Sequence, residues 1–211
     1  MILPPKSILE PVATLCRPPS SVPAATVKLN LGCGFNPFPG YVNIDKSPAC
    51  RPDLLFDAET NPWPWETNSI VEVLFFHSLE HMGASSSVFL AMIRELYRVC
   101  APDARVRILA PHPRHDDFLN DPTHVRVLTP ALFTLFDRER NLQWIEGRFA
   151  NSPLAIYLGV DFVLESSELT LTRAYHTKVA SGELSQDAVR VLLRERNNIA
   201  SEYNITLRVR K

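Results

Sequence analysis

Markers of export, membrane insertion and nucleic-acid binding are scarce in this chain of 211 residues. Its four cysteines, Cys16, Cys33, Cys50 and Cys100, are far apart and form no Cys-x-x-Cys pair. That pattern fits reduced thiols in a reducing compartment. No apolar run approaches the roughly 20 residues that cross a bilayer. Prolines interrupt the N-terminus where an export signal needs an unbroken apolar core. The formal charge is −1, from 22 Lys and Arg against 23 Asp and Glu, so the basic excess of a general nucleic-acid binder is missing. No internal repeat occurs. These absences predict a cytoplasmic protein with neither nucleic acid nor membrane as a partner.

What is present suffices for one α/β domain with a buried core, since 45% of residues are apolar. Residues 1–25 read as a proline-rich tail, because Pro4, Pro5, Pro11, Pro18, Pro19 and Pro23 each remove a backbone donor. A short helix over Ile8 to Cys16 is the structured alternative. The domain itself is expected over 26–211. Strands are predicted at Val27 to Leu31, Tyr41 to Ile44, Asp53 to Phe56, Ile70 to Phe76 and Arg105 to Ala110. Between the last two, Val88, Phe89, Met92, Ile93, Leu96 and Val99 recur at helical spacing, predicting a helix over Ser85 to Val99. Pro102-Asp103 reads as a turn. Thr129 and Pro130 suit the N-cap and first turn of a helix over Leu128 to Phe136. Later come strand candidates at Val160 to Leu171 and Ile205 to Val209, with a helix over Ser185 to Ile199 between them. This alternation predicts a Rossmann-like, seven-stranded, mostly parallel sheet with helices on both faces.

In such a sheet, ligands bind at the carboxyl ends of the strands. Gly32 and Gly34 follow the first strand, Asp45 the second, Asp57 the third, His77 the fourth and His112 the fifth. The glycines permit a sharp turn and close backbone approach. Asp45, one strand over, can accept both hydroxyls of a ribose. A dinucleotide would also need a helix N-terminus for its pyrophosphate. Pro37, Pro39 and Gly40 leave little room for that helix, and Pro37 stands where a third glycine would be. A nucleoside without phosphates fits better.

Leu29-Asn30-Leu31-Gly32-Cys33-Gly34 resembles motif I of class I S-adenosylmethionine-dependent methyltransferases. Tyr41 to Asp45 is similar to their second motif, and Asp57-Ala58 to the position that holds the adenine amino group. His77-Ser78-Leu79-Glu80-His81 resembles the segment after the family's fourth strand, and Arg94 to Val99 the helix before strand five. The likeness spans roughly residues 27 to 136 and suits a small, methyltransferase-11-like branch. It implies S-adenosyl-L-methionine as cofactor, with Asn30, Gly32, Cys33, Gly34, Asp45, Lys46, Asp57, Ala58 and His77 around it. Asn30 stands where the family usually has an acid, so its contact lacks charge assistance. The short linker between the first two strands implies a reduced first crossover helix.

The resemblance implies methyl transfer, expected here to an oxygen or nitrogen of a small molecule. No Asn/Asp-Pro-Pro-aromatic motif follows the fourth strand, which disfavours nucleic-acid acceptors. A binding module without catalysis and a nicotinamide-dependent oxidoreductase are the other readings. His112, then His115, then His77 are the candidate bases, because imidazole titrates near neutral pH. His81 and His124 read as residues that hold loops together. No metal is expected: His112, His115, Asp116 and His124 are ligand types, but Pro111, Pro113 and Pro122 make their loop irregular and no helical frame orders them. Trp63 and Trp65 either cover the cofactor or pack in the core. Acceptor-side elements are expected within 111–180, with Tyr175, His176 and Lys178 as candidate lining.

Overall fold

The computed structural model describes residues 27–211, so the tail expected over 1–25 lies outside it. Seven strands form one sheet: β1 (Val27–Leu31), β2 (Val42–Asp45), β3 (Leu54–Leu55), β4 (Ile70–Phe76), β5 (Cys100–Pro111), β6 (Phe162–Leu171) and β7 (Ala200–Val209). Their order is β3-β2-β1-β4-β5-β7-β6, parallel from β3 to β5, with β7 antiparallel to both neighbours. The direction of winding reverses between β1 and β4. That switch point places the ends of β1, β2 and β4 around one crevice.

Alternation along the strands sends Leu29, Leu31, Val73, Phe75, Val106, Ile108, Ile205 and Leu207 into a core where none exceeds 2% exposure. Helix α1 (Ser86–Val99) lays Phe89, Met92, Ile93, Leu96 and Val99 on that face. Its N-cap is Ser85, whose hydroxyl accepts the Val88 N–H at 3.3 Å. Next in the chain are α2 (Asp116–Leu119), α3 (Pro130–Phe133) and a 3-10 turn over Thr134–Phe136. Thr129 caps α3 as its sequence predicts, accepting from Leu132 N–H at 3.2 Å. Phe136 then meets Phe89 of α1, with ring centroids 6.3 Å apart, so both elements cover the same face.

The opposite face of β1, β4 and β5 is mixed, with charged pairs beside buried Ile70 and Leu74. Lys28 pairs with Glu72 at 2.9 Å, Arg105 with Glu165 at 2.8 Å, and the Tyr41 hydroxyl donates to Glu72 at 2.8 Å. The β1–β2 connection holds no helix at all. Phe38 instead stands edge-on to Phe76 at 5.2 Å and to Tyr41 at 6.0 Å. Helical cover is therefore uneven between the two faces, in line with the short linker.

Two differences from the sequence reading have local causes. β5 begins at Cys100 and absorbs the expected Pro102-Asp103 turn. The turn chemistry survives as an irregularity, since Asp103 has φ +61° and the register against β4 shifts between Ile70 and Glu72. The stretch after β5 also carries unforeseen helices: α4 (Arg138–Glu146), α5 (Leu154–Leu158) and α6 (Arg173–Ala180). α4 buries only Asn141 and α6 buries nothing, so neither shows an apolar stripe. The last helix, α7 (Gln186–Glu195), is shorter than expected, because the chain turns extended at its C-cap, Arg196.

Candidate cofactor cleft

The end of β1 is tied to both neighbours. Gly32 and Cys33 N–H groups donate to the Ile44 carbonyl on β2 at 2.8 and 2.9 Å. On the other side, the buried Ser78 hydroxyl donates to the Leu31 carbonyl at 2.7 Å. Gly32 has φ +71°, and a Cβ placed there would lie 2.5 Å from the Ser78 Cβ. Only glycine fits that approach. Gly34, at φ +51°, donates its N–H to Asp45 Oδ2 at 2.9 Å, while Asp45 Oδ1 accepts from Ser47 N–H at 2.8 Å.

A cleft of about 210 Å³ opens at these strand ends. Seven of the sequence-predicted residues line it: Gly32, Gly34, Asp45, Lys46, Asp57, Ala58 and His77. Asp57 accepts Glu59 N–H at 3.0 Å, and the Ala58 carbonyl accepts the Trp63 indole N–H at 2.9 Å. Trp63 and Trp65 are core residues, 3% and 8% exposed, not a lid. Arg98 of α1 holds their backbone, donating to the Trp65 and Trp63 carbonyls at 2.9 and 3.0 Å. Its pairing with Arg98 is the first cause of the lowered Glu95 pKa. One wall of the cleft thus rests on α1.

Four predicted site residues do not line the cleft. Asn30 is buried, and its amide donates to Asn43 Oδ1 at 3.0 Å and toward the Asn36 carbonyl at 3.4 Å. It braces the β1–β2 connection. Cys33 is buried within its own loop, where desolvation, followed by the Asp45 charge, raises its thiol pKa. His112 accepts Arg114 N–H through Nδ1 at 3.2 Å and packs its ring 5.0 Å from Tyr203. Burial, then the neighbouring Arg114 charge, lowers its pKa. His115 accepts Asp117 N–H at 3.2 Å as the N-cap of α2. His77 is the predicted base that does reach the cleft. It has φ +50°, and its Nε2 lies 3.2 Å from Glu202 Oε1. Tyr175, His176 and Lys178 sit on α6; His176 faces a separate groove with Leu169, Val179 and Val189.

Ser78, His81 and Met82 also line the cleft, and none was singled out for it from the sequence. His81 does hold a loop, with Nδ1 2.9 Å from Thr123 Oγ1, and so does His124, with Nδ1 3.0 Å from the Phe118 carbonyl. Between them lies Glu80, 1% exposed, whose carboxylate oxygens make no hydrogen bond among the described residues. Burial pushes its carboxyl above the usual range.

The fold is that of S-adenosylmethionine-dependent methyltransferases. A SAM-dependent methyltransferase from Archaeoglobus fulgidus superposes with a TM-score of 0.56 at 16% identity, covering 87% of this chain and 86% of that one. The YcgJ protein from Bacillus subtilis superposes with a TM-score of 0.50 at 12% identity, over 89% and 93% of the two chains. The (4+2)-cyclase SpnF gives 0.50 at 16% identity, over 88% and 76%. No family model matches the chain, and no curated protein matches it in sequence. No helix among the described residues is long and apolar enough to cross a membrane.

Proposed function

We propose that the chain binds S-adenosyl-L-methionine in this cleft and transfers its methyl group to an oxygen or nitrogen of a small-molecule acceptor. The observation that carries the reading is the join of the Gly32–Gly34 turn to Asp45 at the switch point. Each Asp45 oxygen receives one backbone N–H and keeps a lone pair, which suits it to two vicinal ribose hydroxyls. Asp57 lies one strand further, where an adenine amino group would find an acceptor, with Ala58 as a flat apolar wall. Nothing in the 32–41 connection offers a helix N-terminus to a pyrophosphate, which disfavours a dinucleotide.

The cofactor supplies an electrophilic methyl on a sulfonium, so the protein's tasks are alignment, exclusion of water and removal of an acceptor proton. His77 is the base this geometry favours. It lines the cleft, and Glu202 sits where a carboxylate would orient its imidazole. A strained backbone at a cleft histidine is also the kind of feature functional sites retain. His112 and His115 are less suited, since one ring nitrogen of each accepts a backbone N–H.

Calorimetric titration with S-adenosylhomocysteine and with NAD is the first test; binding of NAD alone removes the reading. A screen of small-molecule acceptors with radiolabelled donor then separates an enzyme from a binding module. The screen is needed because the fold alone does not fix the reaction: one neighbour that shares it is a (4+2)-cyclase.

A further inference from the structure

Beside the cleft, the turn over Leu79–His81 and the loop 121–126 are fastened together, with Val125 and Arg126 N–H groups both donating to the Glu80 carbonyl at 2.9 and 3.0 Å. This fastening brings the side chains of Glu80, His81 and His124 together, with one donor atom from each within 4.8 Å of the others.

The hydrogen bonds around the two imidazoles fix their tautomers. His124 Nδ1 faces a backbone carbonyl, an acceptor only, so it carries the proton and leaves Nε2 with a lone pair. His81 Nδ1 faces the Thr123 hydroxyl, whose own proton is donated to Asp121 Oδ1 at 2.6 Å. His81 Nδ1 must therefore donate to it, and its Nε2 is also left with a lone pair. Two imidazoles held at Nδ1 by an outer carbonyl and an outer hydroxyl–carboxylate pair are oriented as metal-binding histidines are. Glu80 supplies the independent sign. A carboxylate with no hydrogen-bond partner in a site this dry is costly, and a bound cation would offset that cost. The nearest nitrogen of a basic side chain outside the cluster, His77 Nδ1, is 3.8 Å away, beyond a hydrogen bond.

We propose that Glu80, His81 and His124 bind a divalent transition-series cation. Two imidazoles and one carboxylate suit Zn²⁺, Mn²⁺, Co²⁺ or Fe²⁺, whereas Mg²⁺ and Ca²⁺ take oxygen donors. Three protein ligands leave a coordination position open, the pattern of a reactive rather than a purely structural site. His81 lines the cofactor cleft, so the site borders it. An acceptor hydroxyl coordinated there would lose its proton more readily. That extension rests on the methyl-transfer reading, whereas cation binding does not.

The test uses the full chain, purified without a histidine tag and stripped with chelator. Titration with Zn²⁺ should show one cation per chain, and Co²⁺ should give a visible ligand-field spectrum. Mg²⁺ should bind far more weakly. Glu80→Gln and His124→Asn should abolish stoichiometric Zn²⁺ uptake, while Thr123→Ala, which removes only an outer contact, should weaken it by roughly 10- to 100-fold. Circular dichroism checks that each variant is folded, and Thr123→Ala serves if the others are not. Wild-type protein without stoichiometric Zn²⁺ or Co²⁺, or folded variants that bind as wild type does, would overturn the proposal. Zn²⁺ binding without S-adenosylhomocysteine binding would instead remove the methyl-transfer reading and leave the cation site standing.

Discussion

Asp45 Oδ2 accepts the backbone N–H of Gly34 at 2.9 Å, so the acid at the end of β2 shapes the glycine turn as well as facing the cleft. Its replacement therefore has two consequences. Asp45→Ala is expected to weaken S-adenosylhomocysteine binding by roughly tenfold or more, equivalent to about 1.4 kcal/mol or above. Asp45→Asn keeps one carbonyl acceptor and should lose less. Titration calorimetry of both variants checks this, and equal affinity for Asp45→Ala and wild type would place the ribose elsewhere.

The two glycines of the turn should respond differently to alanine. At Gly32 the new Cβ would lie 2.5 Å from Ser78 Cβ, in a left-handed backbone. At Gly34 nothing lies within 4 Å, and only the left-handed conformation is penalised. Gly34→Ala should cost about 1–2 kcal/mol of stability. Gly32→Ala should exceed that by roughly 1–3 kcal/mol, the range for overpacking. Urea unfolding of the pair measures the gap. Equal midpoints would mean that Ser78 moves aside without cost.

The Trp63 indole holds the Ala58 carbonyl at 2.9 Å, linking a core residue to the cleft wall. Trp63→Phe keeps an aromatic ring in the core and deletes that donor. A stability loss of about 1–3 kcal/mol is expected, from the missing hydrogen bond and the smaller ring. Cofactor-analogue affinity should fall with it, because Asp57 and Ala58 lose their brace. A stability loss with unchanged S-adenosylhomocysteine affinity would show that the wall is held by other contacts.

How much of this was legible depended on whether the signal was local. The strand-end sequence Gly32, Asp45, Asp57, His77 could be read because strand alternation and turn glycines are short-range features, and the cleft gathers those residues as expected. His112, the leading candidate base, does not line the cleft, for a different reason. Strand-end position says nothing of where a ring points, and this one turns to Arg114 and Tyr203. Glu80 gave no sequence signal beyond its place in His77-Ser78-Leu79-Glu80-His81. Its burial and its meeting with His124 depend on the 121–126 loop folding back across more than forty residues. Helices α4 and α6 escaped notice because neither presents an apolar stripe.

His112 also provides a pH dependence whose sign can be worked out. Burial, then the Arg114 charge, holds its pKa below the ordinary 6.5. The unfolded chain therefore binds this proton more readily than the folded one. Above the ordinary value both states are neutral at this site, and His112 adds no pH dependence. As pH falls through about 6.5 the unfolded state protonates first, and stability is lost until the folded-state pKa is reached. His112→Asn places Oδ1 where Nδ1 accepts Arg114 N–H and removes the titration. Wild type should thus lose more of its urea midpoint between about pH 8 and about pH 5.5 than the variant does. Parallel loss in the two proteins would mean that the His112 ring turns to solvent and protonates without cost.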